Sequence, residues 1–153
     1  MSERTRDGGE EKAHRRLIEL LQELRVALPG VQVLFGFLLV VPFSARWDAV
    51  TAFQKDLYFA CLLSSAAATA FLIAPSAIHR LDFGRGDKHR IVEISTVLAV
   101  VGLTFMALAM IGVVLLITDI LYGTTAAIGY TIGVALIFVV LWYMIPLFLR
   151  VRD

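Results

Sequence analysis

Charged and apolar residues are sharply segregated along the chain. Four long stretches contain no Asp, Glu, Lys or Arg: Val26–Ala45, Leu57–His79, Ile94–Thr118 and Ile120–Leu149. A helix rising about 1.5 Å per residue needs roughly 20 mainly apolar residues to cross about 30 Å of hydrocarbon, and each stretch meets that requirement. The pattern predicts an all-α protein, a membrane-embedded four-helix bundle with an N-terminal amphipathic extension of helix 1. The spans are expected at approximately 25–43, 57–78, 95–118 and 126–149, in a domain covering residues 17–153. Residues 1–16, MSERTRDGGEEKAHRR, mix both signs, contain two glycines and lack an apolar core. They are expected to be a mobile cytoplasmic tail, not a cleavable signal, which would need an apolar segment and a small-residue cleavage site.

Helix 1 carries the most unusual pattern. On a continuous helix from about Lys12, the residues Gln22, Arg25, Pro29, Gln32 and Gly36 fall within about 80° of one another, taking roughly 100° per residue. Leu17, Leu21, Leu24, Leu28, Val31 and Phe35 form a separate apolar stripe, suited to lipid or bundle packing. Gln32 lies well inside the hydrocarbon, where an unpaired amide is costly, so its stripe is expected to face protein or water. It either lines a hydrated path or binds a partner helix. Glu19, Glu23 and Arg25 at the cytoplasmic entrance form either a salt-bridged, solvated surface or the charged mouth of a pore. Pro29, Pro75 and Pro146 mark kinks at the inner ends of three spans. Helix 1 is expected to run through Pro29, because residues 29–45 alone would span only marginally.

The connections carry weaker signals. Trp47, Val50, Phe53 and Leu57 recur at helical spacing and predict a short outer surface helix over 48–56, with Asp48 as its cap. Gly84 and Gly86 in LDFGRGDKHR predict a cytoplasmic turn, and Gly123 an outer one. Thr125, Gly129 and Gly133 place small residues at helical spacing, suited to close helix packing within the bundle or between copies. Asp119 is the single carboxylate between Ile94 and Leu149. It is an outer polar residue near the headgroups, for which Arg46 or Lys55 is the expected partner. His79, His89 and Glu93 flank the cytoplasmic turn as an interfacial polar cluster, too few and too unconstrained for a metal site. Cys61 is expected to be a small packing residue.

Composition agrees with a membrane domain. The 153 residues are 59% hydrophobic and 18% charged, with a mean hydropathy of +0.81. A net charge of +1 argues against a nucleic-acid partner, and a single cysteine precludes an intrachain disulfide. Twelve Lys and Arg residues lie in the N-terminal segment, the second connection and the C-terminus, against Arg46 and Lys55 in the first connection. The positive-inside rule then puts both termini in the cytoplasm, with the protein in the cell (inner) membrane.

The segments LLQELRVALPGVQVLFGFLL (Leu20–Leu39), FQKDLYFACLL (Phe53–Leu63) and APSAIHR (Ala74–Arg80) resemble an uncharacterised family of small four-helix integral membrane proteins of actinobacteria. Leu28-Pro29 departs from the more usual polar pair before the glycine. Some members carry the label sodium:proton antiporter. That label conflicts with this chain, because proton-coupled exchangers use ionisable groups near the midplane and the spans hold none there. The absence of a nucleophile–base pair, a metal-ligand set or a phosphate-binding loop predicts a non-enzyme without cofactor. Two functions are then expected. The first is an oligomeric, channel-like pathway for a small cation or proton, with the helix 1 stripe facing water. The alternative is a non-catalytic scaffold or accessory subunit, in which the stripe binds another membrane protein.

Overall fold

The computed structural model describes residues 2–45, 47–81 and 88–152. The protein is all-α, as the pattern requires. Helix α1 covers Ser2–Val40, α2 Ala52–Leu81, α3 Lys88–Tyr122 and α4 Thr124–Val139; a π-helical turn, Val140–Met144, leads into α5, Ile145–Arg152. Four helical segments are long and apolar enough to cross a membrane: Arg15–Phe43, Ala52–Leu81, Arg90–Tyr122 and Thr124–Leu149. The chain is a multi-pass membrane protein.

Two boundaries differ from expectation. The N-terminal tail is helical, since α1 begins at Ser2. Near its end Arg15 reaches Glu11, one turn back, at 3.8 Å. In the first connection there is no separate surface helix. Two 3-10 turns, Val41–Phe43 and Trp47–Ala49, precede α2, which already contains Phe53 and Leu57. The cap is Thr51 and not Asp48. Gln54 N–H donates to Thr51 Oγ1 at 3.3 Å while Thr51 N–H donates to Gln54 Oε1 at 3.1 Å, the reciprocal pairing of a capping box. Arg46 and residues 82–87, where Gly84 and Gly86 predict a turn, lie outside the described residues.

The helices contribute to two compact units. The first comprises Met1–Phe37 and Ser65–Met106. Here Leu24 and Val31 of α1 pack with Ala68 and Leu72 of α2 and Ala99 of α3. Along α1 the buried positions are Leu17, Leu24, Val31 and Leu38, a strict seven-residue repeat of the kind that seats one helix along another. Lipid tails are as apolar as leucine, so burial against them gains little and helices are held by close contact. Gly102 supplies that contact: a Cβ there would stand 2.8 Å from Leu72 Cγ and 3.2 Å from the Leu72 backbone nitrogen. Phe71 and Phe105 stack beside it with centroids 5.7 Å apart.

The second unit comprises Leu38–Ser64 and Ala107–Asp153. Cys61 fills the space opposite Gly112, where a Cβ would meet its Sγ at 2.5 Å. Leu38 belongs to the last turn of α1, and the residue four positions on is Pro42, which has no N–H to offer its carbonyl. The buried Tyr58 replaces that donor, its hydroxyl reaching Leu38 O at 2.9 Å. Trp47 packs edge-on against Tyr58 with centroids 5.0 Å apart, and Lys55 Nζ lies 5.7 Å above the Trp47 ring. Gly129 and Gly133 do not perform the packing expected within the bundle: a Cβ at either would meet nothing within 4 Å, and Ala127 is the one buried residue of α4. Thr125 is likewise exposed. The tight glycines are on α3.

Two substitutions test this packing. Gly102→Val should lower the thermal midpoint in detergent, at a cost of about 1–3 kcal/mol for overpacking, while Gly133→Val leaves protomer stability unchanged. Tyr58→Phe leaves the Leu38 carbonyl without a donor and should cost about 1–2 kcal/mol, read as a shift in the equilibrium unfolding midpoint.

Candidate functional site

Within the first unit, α1 and α2 enclose an open groove of about 440 Å³. From α1 it is lined by Leu21, Arg25, Leu28, Pro29 and Gln32, and from α2 by Ser76, His79 and Arg80. Three of the five residues of the expected polar stripe therefore share one depression with the end of α2. Gln22 and Gly36 are exposed and do not line it. Glu19 and Glu23 are also exposed and lie outside the groove.

The division of α1 into two faces follows from its sequence. Leu17, Leu24, Val31 and Leu38 take the inward side, which leaves Gln22, Arg25, Pro29, Gln32 and Gly36 on the outside of the protomer. Gln32 makes no hydrogen bond to any described residue. Four threonines elsewhere in the spans behave differently, whereas the buried Ser95 and Thr131 hydroxyls have no partner among the described residues. Thr69, Thr96, Thr104 and Thr118 each donate to the carbonyl four residues back, at 2.7–2.9 Å. A threonine can satisfy itself on its own helix, whereas a glutamine amide offers two donors and an acceptor that its helix cannot occupy. Pro29 adds to this face by giving no N–H to the carbonyl of Arg25.

The groove is electropositive. It holds two guanidinium groups and an imidazole, and none of the described residues lining it carries a carboxylate. Neither Arg25 nor Arg80 forms an ion pair with a described residue. Sequence reasoning found the α1 half of this site but not Ser76 or Arg80. Arg80 ends the charge-free run of α2 as Arg25 precedes that of α1, and that symmetry was the available signal. His89 lies outside the described side chains, and Glu93 is exposed.

Asp119 occupies a different setting, in the second unit. Its Oδ2 accepts from Gln54 Nε2 at 2.7 Å and its Oδ1 from Thr124 Oγ1 at 2.8 Å. Of the two expected cations, Lys55 is turned to Trp47 and Arg46 lies outside the described residues. Neutral donors suffice because two of them cover both carboxylate oxygens. Gln54 thus serves the Thr51 cap through its oxygen and Asp119 through its nitrogen. The α3–α4 turn follows directly, with Gly123 at φ +82° and its N–H on Asp119 O at 3.1 Å. Asp119→Leu and Gln54→Leu should each speed amide exchange at the start of α4. Their effects should be strongly non-additive in the double variant, because either change dissolves the same bond.

No curated protein and no solved structure matches the chain. A family model does, over residues 6–146, which include all of the groove and the Asp119 cluster. The chain belongs to the DUF6328 family, a family of unknown function.

Proposed function

We propose that this chain is a non-catalytic scaffold or accessory protein of the cell membrane, which works by binding another membrane helix along the polar face of α1. The observation that carries this reading is Gln32: an amide on the protomer's outer surface, about 10 Å along the helix from Arg25, with no partner among the described residues. In hydrocarbon such a group associates with another polar group, and an interhelical hydrogen bond is the ordinary outcome. The twelve-to-two distribution of Lys and Arg supports cytoplasmic termini.

An oligomeric cation pathway built on the same stripe is less favoured. Arg25, His79 and Arg80 stand in the groove with Gln32, and clustered guanidinium groups repel cations where the path would begin.

A photoreactive side chain introduced at Gly36 in native membranes should yield a protein adduct, and the same probe at Ile137 on exposed α4 should yield lipid adducts. Gln32→Leu should reduce the Gly36 adduct about tenfold, the equivalent of roughly 1.4 kcal/mol, with the protein still folded. Ion flux through wild-type proteoliposomes that falls in Gln32→Leu would reverse the choice and restore the pathway.

A further inference from the structure

We propose that the Arg25–Arg80 end of the α1–α2 groove is a binding site for the phosphate of an anionic phospholipid headgroup. The inference rests on the groove itself and not on the association reading.

Depth comes first. Arg25 is the residue immediately before the charge-free run Val26–Ala45, and Arg80 the residue immediately after Leu57–His79. Both therefore stand at the edge of the hydrocarbon, the level at which lipid phosphates lie. The structure brings these two edge residues into one depression with His79.

Charge and chemistry follow. Guanidinium groups present forked donors that match phosphate oxygens, and here neither is spent on a carboxylate among the described residues. Ser76 adds a hydroxyl to the same lining. A zwitterionic headgroup would bring its own ammonium into a cluster that already carries two positive charges, so an anionic headgroup is selected. The volume, about 440 Å³ and open on one side, admits a headgroup and lets acyl chains leave along the exposed apolar surface of α1.

The test is native mass spectrometry of protein released from nanodiscs containing equal phosphatidylglycerol and phosphatidylcholine. Wild type should retain phosphatidylglycerol at least about fivefold above phosphatidylcholine. The double variant Arg25→Gln, Arg80→Gln should bring that ratio close to one, while Lys55→Gln, which removes a cation from the second unit, leaves it unchanged. Equal retention of both lipids by wild type overturns the proposal without reference to any variant. So does undiminished enrichment in the double variant. Displacement of the retained lipid by millimolar inorganic phosphate would assign the site to a soluble anion instead of a headgroup and would also overturn it.

Discussion

Hydrocarbon offers no hydrogen bonds, and most polar groups on these four helices answer to that constraint. The backbone satisfies it largely by being helical, the carbonyl of Arg25 opposite Pro29 being an exception. Four span threonines satisfy it on their own helix, and the one carbonyl that Pro42 deprives of a donor is served by Tyr58. Asp119, placed where solvent is closer, still has both oxygens occupied. The exceptions are the buried hydroxyls of Ser95 and Thr131, and Gln32, Arg25 and Arg80, which differ from those two in being exposed as well as unpaired among the described residues. What the protein does is best sought where its own chemistry is left incomplete.

Packing and polarity divide the work on α1. The heptad leucines and Val31 hold the helix to its neighbours, and because they repeat every seven residues they keep to one side throughout. The stripe beginning at Gln22 is pushed outward as a consequence. A single helix thereby anchors the first unit and sets Gln22, Arg25 and Gln32 on an otherwise largely apolar exposed side, with neither role compromising the other.

Much of this could be seen in the residues. The charge-free runs set the number of spans, and the two stripes of α1 follow from angular spacing. Glycine roles were not legible, because Gly129 and Gly133 carry the familiar four-residue spacing while Gly102 and Gly112 carry none recognisable. What matters is the side chain on the opposing helix, Leu72 or Cys61, and that depends on register between helices. The Thr51–Gln54 cap was present as a local motif but was masked by the apolar periodicity running across it. The tie from Gln54 to Asp119 joins residues 65 positions apart, beyond any local pattern. Arg80 was visible as a span boundary, but its sharing of a groove with Arg25 required the fold.

The π-helical turn at Val140–Met144 has a consequence for everything after it. Ile145 N–H bonds Val140 O, five residues back, immediately before Pro146. The ladder is thereby widened just where Pro146 cannot donate. A turn that holds one surplus residue also advances the angular phase of the chain by about 100°. Side chains over 145–149 are dealt to different compass points than an uninterrupted helix would give them. The last eight residues are in effect written in a shifted reading frame, so an amphipathic stripe extrapolated from α4 into α5 names the wrong face.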